Sequence, residues 1–202
     1  RTAGTASNIN LTNTGTNVIT DGGDTANGTA GAASEINIHA NSTDAAANSD
    51  ITVNGLVSAI GGDATIGAAA IGGRVSILTN GGDGDITLAN TGANIIASGG
   101  NGSTSGGNGG VITIDTDLDT ADIVTNGTIT SNGGNSTATG DAGNGGTITI
   151  NTDGVTATID INGNVTSTGG NAVSGDAGNG NTININTTGS SAATIDIDAN
   201  LE

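Results

Sequence analysis

Cysteine, proline, methionine and all three aromatic residues are missing from the 202 residues, and basic residues number only two. Without Phe, Tyr or Trp no side chain is broad enough to fill the interior of a conventional globular domain. Without Cys there is neither a disulfide framework nor a thiolate metal site, and the compartment stays open on that count. Two basic residues against 19 acidic ones leave a net charge of -17, which removes the electrostatic basis for binding nucleic acid or an anionic membrane surface. No apolar run approaches the roughly 18 residues of a membrane-spanning helix, and no signal-peptide core is visible. If the protein is exported, the targeting segment lies outside this chain.

The chain is rich in Gly (38) and Ile (24), with 9 Val and 6 Leu. So few large aliphatics with so much charge would suit a disordered chain, but the Ile residues recur two apart, the spacing of one face of a β-strand. A first element, strand a, reads Ile36-Asn37-Ile38, Val75-Ser76-Ile77, Ile112-Thr113-Ile114, Ile148-Thr149-Ile150 and Ile183-Asn184-Ile185, with starts 39, 37, 36 and 35 residues apart. A second, strand b, reads Ile9-Asn10-Leu11, Ile51-Thr52-Val53, Ile86-Thr87-Leu88, Ile123-Val124, Ile159-Asp160-Ile161 and Ile195-Asp196-Ile197. Strand c follows as Val18-Ile19, Val57-Ser58, Ile95-Ile96, Ile129-Thr130 and Val165-Thr166, and each copy runs into Gly-Gly-Asp or Gly-Gly-Asn.

Between strands b and c, Asn54-Gly55, Asn126-Gly127 and Asn162-Gly163 read as tight turns in which Gly supplies positive φ. The rest of each unit, such as residues 169–180, holds Gly, Asn, Ser, Ala and Asp with a lone Val173 and reads as a surface loop in which changes at Ser136 or Thr137 are mild. Two coils of half the period would need apolar residues 18 positions after each strand, where Thr166, Thr168, Ala177 and Asn179 stand instead. One three-strand coil of about 36 residues per repeat is therefore expected, in a single domain over 1–202 of five to six repeats. Coils stacked about 4.8 Å apart would align Ile38, Ile77, Ile114, Ile150 and Ile185 in one core column and Ile51, Ile86, Ile123, Ile159 and Ile195 in another. Asp115, Asn151 and Asn186, and Asn54, Asn126 and Asn162, would fall in register as side-chain ladders.

Strand pairs such as Thr147-Ile148-Thr149-Ile150-Asn151 framed by Gly-Asn-Gly-Gly linkers such as residues 143–146 resemble the repetitive parallel β-helix regions of bacterial surface and secreted proteins, filamentous-haemagglutinin-like adhesins and autotransporter passenger domains among them. The resemblance runs from about Ile9 to Leu201. It implies a right-handed parallel β-helix at a cell surface or in an extracellular structure, and it implies no particular receptor.

Chemistry-bearing motifs are few. Gly81 to Leu88 resembles a calcium-binding GGxGxDxUx nonapeptide but is one residue short, and Asp115-Thr116-Asp117-Leu118-Asp119 begins like an EF-hand loop with Thr120 and Asn126 where Gly and Glu are required. Stacking makes a better case for a cation. It sets Asp141 beside Asp176, Asp117 beside Asp153 and Asp160 beside Asp196, pairs whose repulsion a shared calcium would relieve or which solvent alone would screen. The only His, His39, occupies a position held by Leu78, Asp115, Asn151 and Asn186 in other repeats and reads as an exposed turn residue. Arg74 is isolated and no aromatic offers a sugar platform, so an enzyme is not expected. The outward column Asn37, Ser76, Thr113, Thr149, Asn184 is too mixed for an ice-binding face.

The segment from Arg1 to Ser7 reads as a polar lead into strand b, and Leu201 as the first residue of a strand c, so both ends read as open coils. The expected function is a structural building block of an extracellular filament, sheath or adhesin shaft that stacks end to end with itself, or with neighbouring repeats of a longer chain. The alternative is a calcium-dependent module whose Gly-Asn loops contact glycans or another cell surface. No nucleic acid and no membrane insertion is expected.

Overall fold

The computed structural model describes residues 2–4, 7–42, 48–117, 120–189 and 192–202. Chain order builds coil on coil. The first coil holds β1 (Thr2–Gly4), β2 (Ile9–Leu11), β3 (Thr16–Ile19) and β4 (Thr25–Asn27). The second holds β5 (Ile36–Ser42), β6 (Ile51–Val53), β7 (Leu56–Ser58) and β8 (Ala64–Ile66), and the third β9 (Arg74–Asn80), β10 (Ile86–Leu88) and β11 (Ala93–Ile96). β12 (Val111–Thr116), β13 (Ile123–Thr125) and β14 (Thr128–Thr130) make the fourth; β15 (Ile148–Thr152), β16 (Thr158–Ile161) and β17 (Val165–Thr166) the fifth; β18 (Ile183–Thr187) and β19 (Thr194–Ile197) begin the next.

Each strand pairs in parallel with its counterpart one coil away. Three long sheets result, ordered β1-β5-β9-β12-β15-β18, β2-β6-β10-β13-β16-β19 and β3-β7-β11-β14-β17, with β4-β8 as a short fourth. The protein is an all-β solenoid of about five turns repeating at about 36 residues.

The side-chain period of two decides what goes inside. Pairing runs Ile38↔Ile77↔Ile114↔Ile150↔Ile185 on one wall and Ile51↔Ile86↔Ile123↔Ile159↔Ile195 on the second. Val57, Ile95, Ile129 and Val165 form the third wall. Ile77, Ile114, Ile150, Ile86, Ile123 and Ile159 are completely buried. Aromatics are unnecessary because each aliphatic packs on the one above and below it, so the prism is only as wide as three β-branched side chains. The corner after the first wall is closed by Thr79, Thr116 and Thr152, whose buried hydroxyls donate to Gly84 O (2.8 Å), Ala121 O (3.3 Å) and Ala121 O (3.2 Å).

Four expectations change. The polar lead contains a strand: Thr2, Ala3 and Gly4 pair with Ala40, Asn41 and Ser42, which completes the first coil. The first-wall strands run to as many as seven residues, so His39 lies within β5, half-buried and opposite Leu78, not in a turn. Gly55, Gly127 and Gly163 do not adopt positive φ, which occurs at Gly28, Gly67, Gly81, Gly82 and Gly140. Glycine is required at Gly127 because its Cα passes against Gly92 O and Asn90 O of the previous coil, leaving no room for a Cβ.

The fourth change concerns the Gly-rich segments, which form a packed side lobe. Each enters and leaves the prism through a hydrogen-bonded neck, as in Gly110 N–H to Ala97 O (2.6 Å) and Gly146 N–H to Ser131 O (2.6 Å). Within the lobe a zigzag of main-chain bonds crosses from limb to limb and coil to coil. Gly107 N–H donates to Gly100 O (2.9 Å), Gly134 to Gly107 O (2.8 Å), Gly143 to Gly134 O (2.9 Å), Gly170 to Gly143 O (2.9 Å) and Gly178 to Gly170 O (2.9 Å). Peptide groups here replace the side chains that a hydrophobic core would use. Ser136, expected on a loose loop, is 1% exposed and donates to Thr139 O (3.1 Å), whereas Val173 at the lobe tip is 73% exposed.

Candidate functional site

Asp141 and Asp176, Asp160 and Asp196, and Asp115, Asn151 and Asn186 lie one coil apart, and Asx oxygens along the stack have work that the sequence reading did not foresee. Along the edge of the lobe the side-chain Oδ1 of one coil accepts the main-chain N–H of its counterpart in the next. Asp24 accepts from Asp63 (2.8 Å), Asp63 from Asn101 (2.6 Å), Asn101 from Asn135 (2.9 Å) and Asn135 from Asn171 (2.7 Å). At the corner before the second wall the same relation links Asn8 to Asp50 (3.0 Å), Asp50 to Asp85 (3.2 Å), Asp85 to Asp122 (2.8 Å) and Asp122 to Thr158 (2.6 Å). A third ladder joins Asn108, Asn144 and Asn179 at 2.8 Å each.

The physical reason is local. Where the chain leaves the strands its N–H no longer meets the carbonyl of the coil before, and an unpaired N–H is costly. A short Asx side chain reaches just far enough to supply the missing acceptor. The signal was present as the third residue of each Gly-Gly-Asp or Gly-Gly-Asn triplet that follows strand c. Of the side-chain ladders that were expected, Asn151 Nδ2 donates to Asp115 Oδ1 (2.8 Å) and Asn162 Nδ2 to Asn126 Oδ1 (3.2 Å).

The proposed cation pairs divide on this geometry. Asp141 Oδ1 accepts the N–H of Asp176 (2.9 Å), so the two residues meet side chain to backbone. Asp153 Oδ1 is held by Asn151 Nδ2 (3.1 Å) and Thr188 Oγ1 (2.5 Å), while Asp117 is exposed. Asp160 and Asp196 are register partners on the outward face of the second wall. Calcium takes six to eight oxygens; each pair offers two carboxylates, and at Asp141 and Asp153 an oxygen is already engaged. Among the described residues no group of three His, Cys, Asp or Glu side chains is gathered to hold a metal. The donor set does not fit a calcium cage.

Two carboxylates have raised pKa values, chiefly through burial. Burial pushes the pKa of Asp85 up, opposed by the Asp122 N–H and reinforced by the charges of Asp122, Asp50 and Asp83. Burial likewise raises Asp115, against the Asn151 amide and with help from Asp153 and Asp117. A carboxyl whose folded pKa lies above its unfolded value binds more protons when folded, so stability falls as pH rises through that interval. We therefore expect the thermal midpoint to climb on mild acidification from neutral pH and to level off near the ordinary carboxylate pKa. Asp85→Asn and Asp115→Asn keep the accepting oxygen and remove the charge. Each should raise the midpoint at pH 7 and flatten that climb, as read by circular-dichroism melts across the pH range.

Where the lobe meets the first wall, a groove of about 470 Å3 is lined by Glu35, Ile71, Arg74, Asn108 and Val111 over a glycine floor. Arg74 Nε lies 3.7 Å from Glu35 Oε1, with both side chains more than half exposed, and a pair so placed contributes little to stability. No helix of the described residues is long and apolar enough to cross a membrane. No family model, curated protein or solved structure matches the chain.

Proposed function

We propose that this chain is a structural building block, a shaft segment of an extracellular filament, sheath or surface adhesin that extends by end-to-end stacking of solenoid coils. One observation carries the reading: the face of a coil is built to be covered by another coil. Ile159, Ile161 and Val165 in the fifth coil are completely buried, while their counterparts Ile195, Ile197 and Leu201 are 42%, 36% and 45% exposed. The same face presents an unpaired sheet edge, a template for parallel pairing. Successive coils meet through one repeated chemistry of aliphatic columns and Asx rungs, so a further coil fits whether it continues the chain or arrives with a second copy. A head-to-tail contact of that kind does not close on itself and leads to rods. The likeness in repeat style to filamentous-haemagglutinin-like adhesins and autotransporter passengers supports a surface location.

The test is negative-stain microscopy and light scattering of the purified chain over a range of concentrations, with and without calcium. Rods that lengthen with concentration and ignore calcium are expected. A monodisperse monomer at all concentrations would overturn end-to-end stacking, and calcium-sensitive binding to a glycan array by that monomer would favour the adhesin-module alternative.

A further inference from the structure

Asn-Gly steps recur throughout the chain, and the coils treat them unequally. In an Asn-Gly step the glycine nitrogen, once stripped of its proton, can attack the asparagine Cγ. A five-membered succinimide forms, Nδ2 leaves as ammonia, and water then opens the ring at either carbonyl to give Asp or isoaspartate. Two things stop this: a hydrogen bond that keeps the proton on the glycine nitrogen, and a bond that pins the side-chain carbonyl away from it.

Four exposed steps are blocked. Gly28 N–H donates to Ile66 O (2.8 Å), Gly102 to Asn135 O (3.0 Å), Gly109 to Asn144 O (2.8 Å) and Gly145 to Asn179 O (2.8 Å), each acceptor lying one coil on. In three of them the preceding Asn is itself a rung: Asn101, Asn108 and Asn144 each give Oδ1 to the N–H of the next coil (2.9, 2.8 and 2.8 Å). Three other steps, equally exposed at the Asn, lack both restraints. The N–H groups of Gly81, Gly163 and Gly180 form no hydrogen bond among the described residues. Among the described residues the side-chain carbonyls of Asn80, Asn162 and Asn179 accept none either, although Asn162 donates through Nδ2 to Asn126. Gly81 also has φ +78°, a conformation open to Gly at no steric cost.

We propose that Asn80 and Asn162 are sites of spontaneous deamidation through a succinimide, and that coil stacking shields Asn27, Asn101, Asn108 and Asn144. At Asn162 the isoaspartate product adds a methylene to the backbone of a turn whose glycine already packs against Gly127 of the coil before. Asn80 and Asn162 carry the proposal independently of end-to-end assembly, since neither lies on the exposed final coil.

The experiment is peptide mapping by mass spectrometry after incubation at mildly alkaline pH, on the folded chain and in parallel on the chain held unfolded in urea. In urea all ten Asn-Gly steps of the chain should convert at similar rates. In the folded chain Asn80 and Asn162 should gain the mass of an amide-to-acid change. The four shielded steps should convert at least about tenfold more slowly, because they react only after the coil above them opens. Equal conversion of these two and the four shielded steps in the folded chain would overturn the proposal, as would folded-state silence at Asn80 and Asn162 while the unfolded chain converts there.

Discussion

Replacing Ile150 with Asp should leave the chain unfolded, with the strand signal in circular dichroism lost at temperatures where the parent is intact. Ile150 is completely buried between Ile114 and Ile185 in a column of aliphatic side chains. An isolated carboxylate there costs several kcal/mol even after it takes up a proton, and the aliphatic contacts of the column are lost as well. Folded domains hold only about 5–15 kcal/mol in reserve, and in a stack every coil depends on its neighbours. Val173→Ser, at the 73% exposed lobe tip, should stay within about 0.5 kcal/mol of the parent. Equal loss at both positions would mean that the columns do not form the core.

The second large effect belongs to a single methyl group. Gly134→Ala should destabilise the chain by about 1–3 kcal/mol or more, because the added Cβ would lie within the envelope of Gly100 O and Gly100 C of the coil before. Neither neighbour is a side chain that could turn aside. Gly134 also sits in the zigzag, donating to Gly107 O and accepting from Gly143 N–H, so any shift that relieves the clash breaks main-chain bonds. Gly23→Ala is the matched control: nothing lies within 4 Å of the position its Cβ would take, and the loss of unfolded-state freedom should make it neutral to slightly stabilising. Urea melts of the pair decide the matter, and equal midpoints would mean the lobe is loosely packed.

The first two walls were legible because aliphatic residues mark a strand face every second position, and the pairings of strand b from Ile9 to Ile197 follow that mark. In the third, Val18, Val57, Ile95, Ile129 and Val165 line up although the register shifts just before Val18 and Ile95. The missed strand, Thr2–Gly4, carries no large aliphatic to announce it. The lobe was illegible for a related reason. Its cohesion comes from peptide groups, which every residue has, and glycine marks a close approach only by lacking a side chain, which reads the same as a flexible loop. The Asx rungs were half legible: their recurrence after each Gly-Gly was plain, but a side-chain oxygen standing in for a backbone acceptor leaves a pattern indistinguishable from a turn signal until the next coil is laid upon it.

The ladder Asp24, Asp63, Asn101, Asn135 has a further consequence. Its contacts run from 2.6 to 2.9 Å whether the accepting group is an acid or an amide. At these positions a mutation between Asp and Asn rewrites the electrical surface of the rod without touching its framework. Charge is thereby separated from shape, so a lineage could tune the repulsion between molecules, or their response to salt, one rung at a time while the coil geometry stays constant.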